Sequence, residues 1–246
     1  QQVTELDISP NGKTIILASD YGGDERPDLF FIPSAGGIAE NITLSSRAET
    51  SPVFSPDGER LAFLADPGEP FIFNLFVMDL ATRKERQLTH EAVNVHFPLW
   101  SPDGKLIAAT RTGDDRAGDL ILAAADGSMV EYGFPPVKGG IVIPQAWSPD
   151  GKRLLTVAED EKGFHRLYLI DASKKNRFIG PADWDVEHAE WNKTAGILFT
   201  RNEGGASALY RLRTPDAKLE RLTPVKGRVE GISLDGAGKF VFYDWS

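Results

Sequence analysis

The sequence predicts an all-β propeller of about six four-stranded blades, of which five are complete and the last is only half present. Two observations predict this fold: a turn motif recurs about every 46 residues, and strand-like segments flank every copy of it. A repeat of this length is typical of propeller blades, each of which is one four-stranded sheet. The whole chain, residues 1–246, is therefore expected to form a single propeller domain.

The repeated motif is the tetrapeptide Ser-Pro-Asp-Gly or a close variant. Its clear copies begin at Ser9, Ser55, Ser101 and Ser148, and weaker copies lie at Trp191-Asn192-Lys193-Thr194 and Ser233-Leu234-Asp235-Gly236. Proline fixes φ at the second position of a turn, aspartate bonds to its own backbone, and glycine adopts φ > 0. The motif is therefore a tight turn. Its spacing predicts blades near residues 1–45, 46–91, 92–138, 139–182, 183–225 and 226–246, the last of them partial.

Each blade is expected to contain four strands in the same order. A short first strand precedes the turn, and an apolar, β-branched second strand follows it at 14–18, 61–65, 106–110, 154–158, 197–200 and 240–243. Third strands are predicted at 28–32, 74–79, 119–122, 166–171 and 208–212. A more polar fourth segment ends near Leu-Thr, as at 86–89 and 221–223. The most apolar strands are expected innermost and the polar strand at the rim.

The sixth blade supplies only its first two strands before Ser246. A closed propeller usually completes its last blade with a strand from the N-terminus, which removes exposed sheet edges. Here the chain begins with an inner-type strand, 3–8, so it has no rim strand to supply. We therefore expect an incomplete ring that belongs to a longer polypeptide or is completed by another chain, with some risk of self-association through open blade edges.

Charge and composition exclude several classes of protein. The formal net charge of −9 disfavours a nucleic-acid partner, because phosphate binding needs a basic face. The chain has no cysteine, which excludes disulfides, thiolate zinc sites and cysteine nucleophiles, and fits a cytoplasmic or a periplasmic location. No apolar run reaches the roughly 18 residues of a membrane span. No cofactor is predicted.

The repeat resembles the propeller repeat shared by the TolB translocation protein, the tricorn-type proteases and the prolyl oligopeptidase family of serine peptidases. Residues 22–30, Gly-Gly-Asp-Glu-Arg-Pro-Asp-Leu-Phe, resemble the GG(D/N)ER-x-x-L-(Y/F) stretch of acylaminoacyl-peptidase-like members. Residues 183–187, Asp-Trp-Asp-Val-Glu, and 201–205, Arg-Asn-Glu-Gly-Gly, followed by Leu209-Tyr210, are similar to their DWDVE and NE-(D/G)-G-x-x-x-LY stretches.

The resemblance implies a non-catalytic propeller. In that family the propeller caps an α/β-hydrolase domain, narrows access to the active site and helps admit short peptides, while the catalytic serine lies in a G-x-S-x-G elbow of the hydrolase domain. This chain has no such elbow, because 205–209 and 231–235 both lack the final glycine. No catalytic residue is therefore assigned. The expected partner is the hydrolase domain of the same parent, or a protein or peptide. The alternative is a stand-alone periplasmic TolB-like interaction module.

One repeat position is a candidate for the mouth of the channel. Five residues before the turn serine or its equivalent lie Thr50, His96, Ile143, Glu187 and Arg228. Their mixture of charge and size fits a binding face, and also fits unconstrained loops. His96 and His188 both precede a predicted inner strand, where each either faces the channel or is an ordinary hydrogen-bonded loop histidine.

Asp183, Trp184, Asp185 and Glu187 form the most distinctive cluster outside the turns. Either they line the peptide access side of the propeller, or Trp184 fills a gap between blades while the acids cap loop amides. Three other acidic clusters are expected in solvated hairpins, at Asp24-Glu25, Asp114-Asp115 and Glu159-Asp160-Glu161. None has the ligand spacing of a calcium loop, so no metal site is predicted. A propeller lyase or glycosidase would need His or carboxylate groups clustered in the channel, for which the repeats give no positional support.

Overall fold

The computed structural model describes residues 2–20, 23, 26–68, 71–113, 117–133, 135, 137–171, 175–180, 183–223, 227–234 and 241–245. These residues form twenty-two β-strands and no helix. Three features of the sequence lie wholly or partly outside the described residues: Asp24-Glu25 of the GGDER stretch, the pair Asp114-Asp115, and Asp235-Gly236 of the last turn motif. The predicted strand 240–243 is described from residue 241.

The strands form five four-stranded antiparallel sheets and one two-stranded sheet, and within each sheet the strands lie in chain order. We call these sheets blades 1 to 6. The all-β, four-strand-per-blade fold predicted from the repeat is confirmed, and the strand bounds agree with the prediction to within a few residues. The chain divides into two compact units, Gln1–Asp115 with Asp119–Gly133, and Arg116–Gly118 with Phe134–Ser246.

The first unit contains blades 1 to 3. Its strands are β1 (Gln2–Ile8), β2 (Thr14–Asp20), β3 (Asp28–Pro33), β4 (Glu40–Asn41), β5 (Glu49–Phe54), β6 (Arg60–Ala65), β7 (Asn74–Asp79), β8 (Glu85–Gln87), β9 (Asn94–Trp100), β10 (Leu106–Thr112), β11 (Gly118–Ala124) and β12 (Val130–Gly133).

The second unit contains blades 4 to 6. Its strands are β13 (Val142–Trp147), β14 (Leu154–Glu159), β15 (His165–Ile170), β16 (Asn176–Ile179), β17 (Val186–Asn192), β18 (Gly196–Asn202), β19 (Ser207–Leu212), β20 (Glu220–Arg221), β21 (Val229–Leu234) and β22 (Val241–Trp245).

The turn between the first two strands of a blade is closed by its own side chains. In blade 2 the buried Ser55 hydroxyl donates to Asp57 Oδ1 over 2.5 Å and accepts from the Arg60 amide over 2.9 Å. The hydrogen bond from Ser55 holds the pKa of Asp57 below its ordinary value. The same hydroxyl bonds recur at Ser9, Ser101 and Ser148. The glycine ends the turn at positive φ, 72° at Gly58, as the motif predicts.

A β-bulge interrupts the first strand of every blade. In blades 2 and 3 it lies at Ser51-Pro52 and Phe97-Pro98, where the residue before the proline has φ of 51° and 57°. A bulge accommodates a proline that cannot donate to the ladder, so pairing continues on both sides of it.

The apolar cores lie between the faces of successive blades within a unit. Leu61, Phe63 and Met78 of blade 2 pack against Ile16 and Leu29 of blade 1. Equivalent clusters join blade 2 to blade 3, blade 4 to blade 5, and blade 5 to blade 6. Burial of one blade on the next therefore supplies most of the apolar stabilisation, as in other repeat proteins.

Candidate functional site

Two candidate mouth residues of the first unit lie in the first strands of their blades. Thr50 pairs with Leu64, and His96 pairs with Thr110. The half-buried His96 ring places Nε2 3.0 Å from the Thr112 hydroxyl, and burial lowers the pKa of His96, which favours the neutral imidazole.

The expectation that His96 and His188 precede an inner strand is wrong. His96 lies within β9 and His188 within β17, each paired across to the second strand of its blade. Blade 3 shows the reason: the bulge at Phe97-Pro98 lets the ladder run on to Asn94, so the strand begins earlier than the proline suggests.

In the second unit, the pairing of the first two strands of blade 5 differs from that of blade 4, and one candidate position shifts by one residue as a result. Ile143 pairs with Val157, but in blade 5 the residue paired at the equivalent place is His188, opposite Thr200, while Glu187 is the bulge residue itself. The spacing from the turn therefore predicts Glu187, which lies one residue before the residue that is paired at this place. The side chain of Glu187 is exposed, and that of His188 is 47% exposed. Arg228 is exposed directly before β21.

The 183–187 segment enters β17 and is bonded to blades 4 and 5. Asp185 Oδ1 accepts from the His165 amide over 2.7 Å, and the Asp185 carbonyl accepts from the Asn202 amide over 2.9 Å. Glu187 accepts from Asn202 Nδ2 over 3.2 Å and from the Ser207 hydroxyl over 2.7 Å. The acids of this segment therefore bond to neighbouring strands, and their backbone position is fixed.

Trp184 presents an exposed ring on a fixed backbone. Its carbonyl accepts from Arg166 Nη1 over 2.5 Å, while its side chain is 40% exposed. Ring atom Cη2 lies 3.6 Å from the place where a β-carbon on Gly204 would stand, so the indole lies against that glycine. One edge of the ring therefore lies against Gly204, and much of the residue is accessible to solvent.

Arg201 lies at the centre of a polar cluster that bonds to this segment through Asp183. It is 9% exposed, and it donates to Glu203 Oε1, to Tyr210 Oη over 2.9 Å and to Asp183 Oδ1 over 3.4 Å. Its guanidinium lies 4.3 Å from the centre of the Tyr210 ring, and Arg221 donates to Glu203 Oε2 over 2.9 Å. Burial alone would raise the pKa of Glu203, but hydrogen bonds from Tyr210 and Arg201 outweigh it and hold the pKa low. The cluster therefore stays ionised and positions Asp183.

Arg166 makes a second buried cluster in blade 4. It is 1% exposed, bonds Asp160 Oδ2 over 2.9 Å and stacks 4.6 Å from the Phe164 ring centre. The predicted solvated hairpin is thus more ordered than expected, because Asp160 also accepts from the Lys162 and Phe164 amides. A cavity of about 340 Å³ adjoins it, lined by Val137, Asp160, Glu161, Lys162 and Tyr168.

Sequence reasoning missed Arg166 and Arg201 as organising residues. The available signal was an arginine at the end of an otherwise apolar strand, in His165–Ile170 and Gly196–Asn202. A buried guanidinium needs carboxylate partners, and both have an acid within six residues.

The described residues contain no group of three or more His, Asp or Glu side chains that could hold a metal ion. They likewise contain no helix that is long and apolar enough to cross a membrane.

Five antiparallel four-stranded sheets, each with its strands in chain order and four of them with the same serine-closed turn, define a protein of the β-propeller class. Residues 2–132 match the family described as PD40, TolB beta propeller domain, and the chain belongs to that family.

Comparisons with known proteins extend this likeness to peptidases. The chain is 40% identical over 167 residues to the "Uncharacterized peptidase YuxL" of Bacillus subtilis (strain 168), across 66% of this chain and 23% of that protein. It is 29% identical over 161 residues to the "Protein TolB homolog" of Chlorobium luteolum, across 65% of this chain and 34% of that protein. The fold matches that of Pyrococcus horikoshii acylaminoacyl peptidase with a TM-score of 0.73 and 17% identity, across 100% of this chain and 42% of that chain.

The resemblance to TolB and peptidase propellers that the repeat indicated is therefore confirmed. The chain spans less than half the length of each of these relatives.

Proposed function

We propose that this chain is the non-catalytic propeller of a prolyl-oligopeptidase-like serine peptidase, and that the 183–187 segment belongs to the surface over which it admits or docks peptides. Two findings support the proposal: the similarity to a protein described as a peptidase, and the geometry of this segment. The partner is the hydrolase domain of the same parent, which supplies the catalytic serine in a G-x-S-x-G elbow, a motif that this chain lacks.

The observation that carries the proposal is a fixed backbone with exposed side chains. The Trp184 carbonyl and the Asp185 carboxylate are held by blade 4, while the Trp184 ring and the Asp183 carboxylate, 67% exposed, face solvent. A pre-positioned indole beside a carboxylate offers a peptide an apolar contact and a hydrogen-bond acceptor at little entropic cost.

The first test asks whether the natural gene product is a serine peptidase. We expect it to be at least about 250 residues longer than this chain, since a hydrolase domain of that order is required. It should react with a fluorophosphonate probe at a serine outside this chain and hydrolyse short peptides but not folded proteins. A natural product that neither reacts with the probe nor cleaves peptides would contradict the proposal.

The second test addresses the surface itself. In the full-length peptidase, Trp184→Ala removes the ring but keeps the carbonyl that binds Arg166. We expect KM for short peptides to rise about three- to ten-fold with kcat within two-fold, since the lost contact acts in substrate binding. The matched control is Asp216→Asn, at a side chain 78% exposed and paired only with Arg177 among the described contacts. Equal KM values for both variants would refute a role for the 183–187 segment.

A second candidate function is a stand-alone module that binds a protein partner. The similarity to a TolB homolog favours it. It predicts a natural product that lacks probe reactivity and binds its partner with an affinity that Trp184→Ala weakens and Asp216→Asn does not.

A further inference from the structure

The turn of blade 1 carries an asparagine where the other serine-closed turns carry an aspartate. Asn11 stands two residues after Ser9, and its Oδ1 accepts from the Ser9 hydroxyl over 2.9 Å and from the Lys13 amide over 2.9 Å. The residues at the same place in blades 2, 3 and 4 are Asp57, Asp103 and Asp150. Their Oδ1 atoms accept the same two hydrogen bonds. Asn11 therefore reproduces the contacts of one carboxylate oxygen.

The hydrogen bond from the turn serine is longer to the asparagine than to the aspartates. It measures 2.5, 2.7 and 2.5 Å in blades 2, 3 and 4, against 2.9 Å in blade 1. A hydrogen bond to an ionised acceptor is shorter and stronger than one to a neutral amide. In the three aspartate turns this bond holds the pKa of the carboxyl group below its ordinary value. The blade 1 turn lacks this charge-assisted bond.

The second terminal atom of residue 11 also occupies a place that suits a carboxylate. In blade 3, Asp103 Oδ2 lies 3.8 Å from Nζ of Lys105, which is four residues after the turn serine. Lys13 stands at the place of Lys105 in blade 1. Asn11 presents its Nδ2 donor there, and Nδ2 has no acceptor among the residues that the structure describes. An oxygen at this place would attract the Lys13 ammonium, whereas an amide nitrogen does not.

Asn11 is also followed by a glycine, and Asn11-Gly12 is the one Asn-Gly pair in the sequence. Because glycine has no side chain, its backbone nitrogen can approach the side-chain carbon Cγ of the asparagine closely. The nitrogen gives up its proton and bonds to Cγ, the bond from Cγ to Nδ2 breaks, and ammonia leaves with a proton. A five-membered imide remains, which water then opens.

The imide opens to two products with opposite effects on the turn. Water that breaks the bond from Cγ to the Gly12 nitrogen restores the backbone and leaves an aspartate at residue 11. Water that breaks the bond to the backbone carbonyl carbon gives isoaspartate, whose chain runs through the former side chain and is one carbon longer. The added carbon displaces the Gly12 and Lys13 amides from the acceptors that they have in the closed turn.

The closed turn opposes the reaction. The Gly12 amide donates to the Ser9 carbonyl over 2.8 Å, and Asn11 Oδ1 is held by its two donors. The nitrogen that must attack Cγ is therefore engaged with a different carbonyl group. The reaction requires the turn to open, either before the chain folds or in a local opening of the folded protein.

We propose that Asn11 is a site of spontaneous deamidation, in which water replaces the side-chain amide while the turn is open. The aspartate product then closes the turn of blade 1 more firmly than the asparagine did. It makes the charge-assisted bond to Ser9 and faces Lys13, as the aspartates of the other turns do with their own serines and cations. The inference is independent of the proposed peptidase function.

Mass spectrometry of the full-length protein, incubated at about pH 8 with and without urea, tests the reaction. We expect Asn11 to convert to aspartate and isoaspartate at least about ten-fold faster in the unfolded protein than in the folded one. Asn192 is the internal control: its Oδ1 also accepts two turn amides, but lysine follows it, so we expect much slower conversion in both states. Equal rates for Asn11 in both states, no conversion in urea, or equal rates for Asn11 and Asn192 in urea would each overturn the proposal.

Hydrogen exchange of the folded full-length protein tests the effect of the product. After correction for intrinsic rates, Asn11→Asp should slow exchange of the Lys13 and Thr14 amides by about two- to ten-fold, since both are bonded within this turn. The purified isoaspartate form should exchange faster at the same amides. Asp57→Asn is the reciprocal control and should speed exchange at Glu59 and Arg60. Exchange that is unchanged or faster in Asn11→Asp would overturn the proposal.

Discussion

Glu49 is a fully buried carboxylate whose replacement should stabilise the protein at high pH. The side chain is 0% exposed in β5; its Oε1 accepts from the Ser45 hydroxyl and lies 3.4 Å from Arg47 Nε. Its other oxygen, Oε2, has no hydrogen-bond partner. Burial raises the pKa of Glu49 to about 7, against the opposing effects of the Ser45 hydrogen bond and the Arg47 charge, while the charge of Asp28 adds to the rise. We predict that Glu49→Gln removes this penalty.

The magnitude follows from the pKa difference between the folded and the unfolded chain. The unfolded chain loses the proton near its ordinary value of 4.5, whereas the folded chain keeps it to about 7. The folded state therefore binds this proton more tightly. The contribution of Glu49 to the free energy of unfolding falls as the pH rises from about 4.5 to about 7 and is constant at higher pH. At about 1.4 kcal/mol per pKa unit, the penalty at pH 8 approaches about 3 kcal/mol.

Urea unfolding at pH 5, 6, 7 and 8, followed by tryptophan fluorescence, measures this effect. The free energy of unfolding of Glu49→Gln, relative to the parent, should increase by about 2–3 kcal/mol between pH 5 and pH 8. Glu85→Gln is the control, because it removes the other partner of Arg47, 2.6 Å away, in a surface ion pair worth at most about 1 kcal/mol. A stability difference for Glu49→Gln that is the same at all four pH values would refute the argument.

Two further variants test the second unit by the same urea assay. Gly196→Ala should destabilise the protein by about 3 kcal/mol or more, because its β-carbon would lie 2.5 Å from the Leu212 carbonyl oxygen at φ +83°. The control is Gly36→Ala, at φ +89° with open space around it, which should cost about 1 kcal/mol. Equal costs for the two variants would contradict the effect of the close contact. Tyr210→Phe should cost about 1–3 kcal/mol, because it removes one of the hydrogen bonds to the ionised Glu203 and leaves those from Arg201 and Arg221. An unchanged midpoint would show that the Tyr210 hydroxyl does not support the fold.

The turns and second strands could be predicted because their signals are local. Proline, aspartate and glycine set the turn within four residues, and the apolar run after it specifies a strand whichever blade contains it. The bulges could not be predicted, because they depend on pairing with the next strand. Gln145 and Glu187 interrupt their ladders at different distances before the turn, which the spacing of the repeat does not indicate. The spacing therefore predicts Glu187 as the candidate in blade 5, whereas the residue paired at the equivalent place is His188.

The polar clusters were also beyond a single sequence. Whether an arginine such as Arg201 is solvated or buried depends on which segments supply its partners, here the loop after β18, strand β19 and the loop before β17. The burial of Glu49 depends in the same way on Ser45 and Arg47 folding back over it. The cluster 183–187 was recognised from its composition, but its bonds to blade 4 could not be read from spacing.

The self-closed turn has a consequence for how the chain folds as it is synthesised. All the hydroxyl bonds of Ser55 are made within six consecutive residues, so the turn can form as soon as Arg60 has left the ribosome. The aromatic residue before the turn, in contrast, also depends on the blade that was made earlier, as when the Trp100 indole donates to the Val53 carbonyl. Assembly should therefore proceed from the N-terminus, each hairpin forming by itself and then docking on a partner that is already present.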